Sequence, residues 1–210
     1  MSTDKALSWV YSEEYAAETE AKADARATAK ELGAAPVSTG TGAALRAAAA
    51  MLGARAIIEV GTGAGVSGQW LLEGMQPDGV LTTVDVEPEF QRAAKQAFAA
   101  AGNPSRRARL IAGRALDVLP RLAKGSYDMV VIDADVPSVP EYVEHALRLL
   151  RPGGVVALTH ALWHDHVADP ARRDDDTVTM RETLRAMAEH PDLLPCLLPT
   201  GDGLALAVRA

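Results

Sequence analysis

The stretch "IIEVGTGAGVSGQWL", residues 57–71, sets the carboxylate of Glu59 just ahead of Gly61, Gly63 and Gly65. Without Cβ atoms the chain can turn sharply there and let a ligand approach backbone N–H groups at a helix N-terminus. Asp85 stands 24 residues after Gly61, closing the apolar run "GVLTTVDV", where an acid can accept from ribose hydroxyls. Asp133 closes another apolar run, "YDMVVIDA". Further on, "ALTHALWHDHVADP" (157–170) gathers His160, His164 and His166 around Trp163 and Asp165. Taken alone, that stretch suggests a metal site, a general base with its supports, or a polar loop.

The glycine spacing has two readings. Gly63 to Gly68 also fits GxGxxG, the fingerprint of dinucleotide sites. Two details favour S-adenosylmethionine. Glu59 suits a sulfonium or ammonium cation and would be badly placed beside a pyrophosphate. The chain also offers no second domain to hold a hydride acceptor.

The elements that position these residues alternate between strand and helix from residue 55 onward. "RAIIEV", "GVLTTVDV", "ARLIAG", "YDMVVIDA" and "GVVALT" read as strands, with "YDMVVIDA", the most apolar, as the central one. Between them lie a helix opened by the glycine turn, one from Pro88 to about Ala101, a short one over "ALDVLPRL", and one over 138–150 ending at "RPGG". The Pro88 helix carries Phe90, Ala94, Ala97, Phe98 and Ala101 on one face, and the 138–150 helix carries Val139, Tyr142, Val143, Ala146, Leu147 and Leu150. A further helix falls near 175–189. The ending "LLPCLLPTGDGLALAVR" reads as an antiparallel hairpin turning at Thr200-Gly201-Asp202-Gly203. Ahead of this repeat, a helix over 12–32 and another over roughly 40–52 are expected, as a lid or a contact between subunits. Such alternation predicts an α/β fold with a mostly parallel sheet, helices on both faces and an antiparallel edge.

At 210 residues the chain suits one domain, spanning 1–210. Its net charge of −7 argues against a nucleic-acid partner. Cys196 is the only cysteine, which excludes an internal disulfide or a cysteine metal cage and fits a reducing compartment. The opening "MSTDKALSWVYSEEY" is polar and acidic, unlike a signal peptide, and no apolar run approaches a membrane span. The expectation is a cytoplasmic protein with neither membrane nor nucleic-acid partner.

With these motifs in view, the chain resembles the small O-methyltransferases of the catechol and caffeoyl-coenzyme A type, in their bacterial branch. The resemblance runs from about residue 33 to the C-terminus, through "PVSTGTGAAL", "IIEVGTGAGVSGQWL", "LTTVDVEP", "AGRALDVLPRL", "YDMVVIDAD", "ALRLLRPGGVVAL", "LWHDHVADP" and "GDGLALAV". It implies a Rossmann-like class I methyltransferase fold with a seven-stranded sheet, a homodimer, and methyl transfer from S-adenosylmethionine to an oxygen of a small-molecule acceptor. Carried over residue by residue, Val37 through its backbone, with Glu59, Gly61, Thr62 and Ser67, would hold the methionine end of the cofactor. Asp85 would take the ribose, Val86 and Ala115 would flank the adenine, and Asp133 would be both a cofactor neighbour and the first ligand of a divalent cation.

The chain departs from this family at that cation. The family's Asp-Asn pair falls on Thr159-His160, its Lys on Val136 and a nearby Tyr on Val139, while the next Tyr is matched by Tyr142. Asp133 is the one retained ligand position, and a carboxylate, a hydroxyl and an imidazole suit a hard cation such as Mg²⁺ poorly. Three readings stay open. The first is metal-free transfer with Asp133 and His160 as catalytic groups and His160 as base. The second is a softer ion held with help from His164 or His166. The third is a non-catalytic, cofactor-binding homologue acting as a regulatory or partner subunit.

Overall fold

A computed structural model describes residues 3–210; Met1 and Ser2, which belong to the expected N-terminal lid, lie outside the described residues. Seven strands form one sheet in the order β3-β2-β1-β4-β5-β7-β6. They are β1 (Ala56–Val60), β2 (Val80–Asp85), β3 (Ala108–Ala112), β4 (Tyr127–Ile132), β5 (Leu150–Leu158), β6 (Leu193–Leu198) and β7 (Leu204–Arg209). The first five pair in parallel; β7 runs antiparallel to both β5 and β6. The apolar "YDMVVIDA" supplies β4, fourth of seven, as its composition predicts.

The helices are α1 (Thr3–Glu14), α2 (Glu20–Glu31), α3 (Thr39–Met51), α4 (Val66–Gly74), α5 (Pro88–Ala100), α6 (Ala115–Val118), α7 (Val139–Leu149) and α8 (Asp175–Glu189). The two-residue alternation along each strand splits the core between the faces of the sheet. Ile58, Val60, Val130 and Ile132 pack with residues of α6, α7 and α8, whereas Ile57, Leu81, Met129 and Val131 pack with residues of α3, α4 and α5.

Three expectations need correction. The helix expected over 12–32 is two helices, with Tyr15–Thr19 between them and α1 extending back to Thr3. Strong helix formers run through the break, so contacts at either end decide it rather than propensity. The expected helix end "RPGG" lies inside β5, where the register with β4 shifts between Tyr127 and Met129, and Leu150 starts that strand instead of ending α7. On the face expected of the Pro88 helix, Ala101 is exposed just past the end of α5, and Phe90 is only half-buried, lining the clefts described below.

Tertiary contacts fix the two leading helices. On α1, Glu13 Oε1 accepts from Gly201 N at 2.6 Å and Thr200 Oγ1 at 2.8 Å, while Oε2 accepts from Gly40 N at 3.0 Å. One carboxylate thus joins α1, the start of α3 and the β6–β7 turn. On α2, Lys22 is buried, lies 4.3 Å above the Trp70 ring and forms an ion pair with Glu73 of α4. The same Trp70 ring takes Arg46 on α3 at 4.8 Å.

Burial raises the Glu13 pKa, but the donors of Ser38, Gly201, Thr200 and Gly40 outweigh it and hold the carboxyl below its ordinary value. Its contribution to stability is therefore present near neutrality and is lost as pH falls through the carboxylate range. Glu13→Gln is expected to cost about 1–2 kcal/mol at pH 7 and less at pH 3.5, read by urea denaturation at the two pH values.

Candidate active site

The first five strands run in parallel, so their C-terminal ends share one edge, and there the functional side chains meet. Gly61 leaves β1 with φ +93° and passes so close to β4 that a Cβ on it would lie 1.7 Å from the Asp133 carbonyl oxygen. The ladder continues through this crossing, with Gly61 N donating to Val84 O at 2.9 Å and Asp133 N to Val60 O at 2.8 Å. No side chain other than hydrogen fits there.

Asp85 grips the turn that follows. Its Oδ2 accepts from Thr62 N at 2.9 Å and Gly63 N at 3.0 Å, and its Oδ1 accepts from Glu87 N at 2.9 Å. Gly65 adopts φ +85° as the N-cap of α4. Ser67 lies in the first turn of that helix.

Glu59 is fully buried. Strand register sets it opposite Thr83, whose hydroxyl donates to Glu59 Oε2 at 2.6 Å. Behind Thr83 lie the Thr62 hydroxyl, 2.7 Å away, and Gln91 Nε2, which donates to Thr62 Oγ1 at 2.8 Å. With Glu59 ionised, the donors of this relay all point from Gln91 toward the carboxylate. Its other oxygen, Oε1, has no hydrogen-bond partner of good geometry. Burial pushes the Glu59 pKa up to about 7, with the Ser67 and Thr83 hydroxyls pulling against it and the Asp133 and Asp85 charges adding to it. A buried carboxylate with an orphan oxygen is suited to pairing with a cation.

Two adjoining hollows of about 140 and 250 Å³ share Gly61, Asp85, Phe90 and Asp133. The first continues along Pro36, Thr62, Gly63, Val66 and Ser67 to the end of α2; the second along Val86, Gly113, Ala115, Asp135 and Tyr142. The structure thus brings Gly61, Thr62, Ser67, Asp85, Val86, Ala115 and Asp133 to one cleft, with Glu59 buried behind it. The Val37 side chain is buried beside Ala25, Val66 and Trp70, with Ala34, Ala35 and Pro36 lining the cleft just ahead of it, and the contact expected of Val37 is one through its backbone. A larger hollow of about 500 Å³, between α5 and the edge strand β3, reaches no strand-end carboxylate.

Asp133 Oδ1 accepts from the Thr159 hydroxyl at 2.8 Å and lies 3.6 Å from His160 Nε2, an atom buried without a hydrogen-bond partner. Burial raises the Asp133 pKa, opposed by His160 and Thr159 and assisted by Asp85. The loop after β5 holds four non-glycine residues at positive φ: His160 (+50°), Trp163 (+47°), His164 (+56°) and Asp165 (+63°). Each such residue costs of order 1 kcal/mol and persists only where its surroundings over-determine it. Here Arg181 on α8 donates to the carbonyls of Val167, His166, Asp169 and Arg172. From the other side Asp202 Oδ1 accepts from His164 N at 2.6 Å.

His164 is exposed, and its ring packs on Trp163 with centroids 5.1 Å apart. Among the described residues no three His, Cys, Asp or Glu side chains gather as a metal cluster would. Val136 and Val139, where the family carries Lys and Tyr, are buried in the core, while the Tyr142 hydroxyl donates to Asp135 Oδ1 at 2.8 Å. Sequence reasoning missed Thr83, Gln91 and Asp202. Thr83 carried a usable signal, since it stands two residues before Asp85 on the same strand; Asp202 was visible only as a turn residue.

A parallel sheet with an antiparallel C-terminal pair, and a cation-seeking carboxylate behind a glycine turn, define the Rossmann-like methyltransferase class. The model of the O-methyltransferase family matches residues 12–210, and the chain belongs to that family. A Mycobacterium avium relative named "Putative O-methyltransferase" is 54% identical over 187 residues, covering 89% of this chain and 84% of its own. Among solved structures, the O-methyltransferase TomG from Streptomyces achromogenes, involved in tomaymycin synthesis and in complex with S-adenosylmethionine, is similar with a TM-score of 0.87 and 31% identity, covering 100% of this chain and 99% of its own. An O-methyltransferase from Bacillus cereus in complex with S-adenosylhomocysteine has a TM-score of 0.86 and 26% identity, covering 98% of this chain and 97% of its own. S-adenosylmethionine is therefore the cofactor and methyl transfer to oxygen the activity, against the nicotinamide reading; the non-catalytic alternative finds no support here.

Between about pH 4.5 and 7 the folded chain keeps on Glu59 a proton that the unfolded chain has released, so stability falls as pH rises through that window. Glu59→Gln is expected to stabilise the cofactor-free protein at pH 8, by on the order of 3 kcal/mol, and to change it little at pH 4. Denaturant titrations of both proteins at the two pH values check the sign.

Proposed function

We propose that the protein methylates an oxygen of a small-molecule acceptor without a divalent cation, using His160 as the base. The observation that carries this reading is His160 Nε2, buried without a partner and 3.6 Å from Asp133 Oδ1. The donor set speaks against a hard cation: at the family's ligand positions Asp133 is the one carboxylate, its Oδ1 already accepts from Thr159, and the remaining donor is an imidazole.

S-adenosylmethionine supplies a methyl group on a positively charged sulfur, which the acceptor oxygen takes while the C–S electron pair returns to sulfur. The chain's own contributions are charge and placement. Glu59 and Asp133 present negative charge to the ammonium and sulfonium end, with Gly61, Thr62 and Ser67 beside it. The backbone near Val37 closes the same end, with Ala34 to Pro36 forming the wall. Asp85 accepts the ribose hydroxyls with its remaining lone pairs, and Val86 and Ala115 flank the adenine. His160 Nε2 takes the acceptor's hydroxyl proton, and Asp133 opposes the positive charge that then develops on the ring.

We also read residues 1–210 as one methyltransferase domain whose leading helices, within 1–52, serve as lid and dimer contact. The exposed Leu7, Trp9, Val10 and Tyr11 of α1 support the contact. Among the described residues no helix is long and apolar enough to cross a membrane. We also read the chain as a cytoplasmic protein acting on small molecules rather than on membranes or nucleic acid, a reading its net charge of −7 supports as regards nucleic acid.

Calorimetric titration with S-adenosylmethionine, with and without EDTA, is expected to give the same affinity, and turnover over a panel of phenols and hydroxy acids is expected to survive EDTA. Loss of turnover on chelation, restored by Mg²⁺, overturns the metal-free reading. Thr159→Asp combined with His160→Asn is expected to make transfer dependent on Mg²⁺. In contrast, His160→Ala is expected to lower kcat by about 10²–10⁴-fold with little change in cofactor affinity.

A further inference from the structure

The β6–β7 turn places a second carboxylate on the far side of the His160 ring. Asp202 Oδ2 lies 3.4 Å from His160 Nδ1, while Nε2 on the opposite edge faces Asp133. We propose that Asp202 is a positioning residue for methyl transfer: it holds the imidazole with the proton on Nδ1 and leaves Nε2 free to receive one. This inference rests on the reading of His160 as base.

The chemistry of the partners assigns the proton. An ionised carboxylate can only accept, so a neutral imidazole that bonds Asp202 must carry its hydrogen on Nδ1. Asp133 is the weaker competitor for the ring: its contact with Nε2 is longer, at 3.6 Å, and the facing Oδ1 already accepts from Thr159 at 2.8 Å. His164 Nδ1 stands 3.8 Å from the same Asp202 oxygen, but its side chain is 67% exposed against 26% for His160. The long His160–Asp202 distance fits a catalytic contact that tightens when the acceptor binds.

The turn is built to hold Asp202 there. Gly203 sits at φ +88°, and a Cβ on it would meet the Leu162 backbone nitrogen at 2.6 Å. Leu162 N donates to Asp202 O at 2.8 Å and Ala161 N to Gly203 O at 3.1 Å, so the turn and the loop carrying His160 are laced backbone to backbone. Asp202 Oδ1 accepts from His164 N at 2.6 Å, which fixes the carboxylate plane and aims Oδ2 at His160. From below, Glu13 holds Thr200 and Gly201.

Asp202→Asn isolates the orienting role, because the amide oxygen can keep the His164 N–H while its NH₂ meets Nδ1 with a donor. The expected result is a fall in kcat of about 10–100-fold, with KM for S-adenosylmethionine and the melting temperature close to those of the parent. In ¹⁵N-labelled protein the His160 ring signals are expected to move from the Nδ1–H pattern to the Nε2–H pattern. His164→Ala is expected to leave kcat within about twofold. Should Asp202→Asn keep the parent kcat and tautomer while Asp202→Ala merely loses stability, Asp202 is structural only and the proposal is overturned. Should His160→Ala itself keep the parent kcat, the base reading fails first, and Asp202 falls with it.

Discussion

The structure turns on one close approach, the passage of Gly61 across the Asp133 carbonyl where β1 and β4 end. Two neighbouring parallel strands must release their chains in different directions there, one into the glycine turn and the other toward α7. A side chain on Gly61 would push the strands apart at the point where the ladder carries its last hydrogen bonds. Because the crossing is tight, Asp85 and Asp133 come close enough to raise the pKa of Glu59, and Asp85 adds to that of Asp133. The fold thus concentrates negative charge at one spot, and only hydrogen-bond donors and a bound cation can offset it.

The donors are supplied unevenly. Asp85 is covered by backbone N–H groups of the turn it stabilises, so it remains an acceptor with its shape fixed in advance. Glu59 has Thr83 on one oxygen and no good partner on the other, and burial lifts its pKa to about 7. A positive charge beside that oxygen would supply the partner it lacks. The cost of ionising the buried Glu59 and the attraction of its surroundings for a cation are the same electrostatic fact, and this is how a binding site comes to cost stability.

On the other side of Asp133 the loop after β5 stores a different cost. Four non-glycine residues in the left-handed region would not hold their shape alone. Arg181 gathers the loop's carbonyls from α8, and the β6–β7 turn laces it from the end of the sheet. The antiparallel strand pair does more than close the sheet, since its turn carries Asp202, whose Oδ2 lies 3.4 Å from His160 Nδ1.

Much of this was legible in the sequence, because the signals were local or periodic. Apolar strands alternating with amphipathic helices predicted the sheet and its antiparallel edge, and the placement of Glu59, the glycines, Asp85 and Asp133 at strand ends predicted which edge would bind. The boundaries that failed, at Tyr15–Thr19 and at "RPGG", are places where propensity yields to a contact or a register shift made elsewhere in the chain. Three matters were settled only in the folded chain. Thr83 and Gln91 line up behind Glu59 because strand register and the packing of α5 put them there. Val37 turned inward, leaving Ala34 to Pro36 on the cleft, because its side chain finds the apolar company of Val66 and Trp70. Of the histidines in "ALTHALWHDHVADP", His160 alone lies between two carboxylates, one of them 42 residues away. Spacing in sequence shows which residues share a strand end or a helix face, but the partner of a side chain across the fold is chosen by packing.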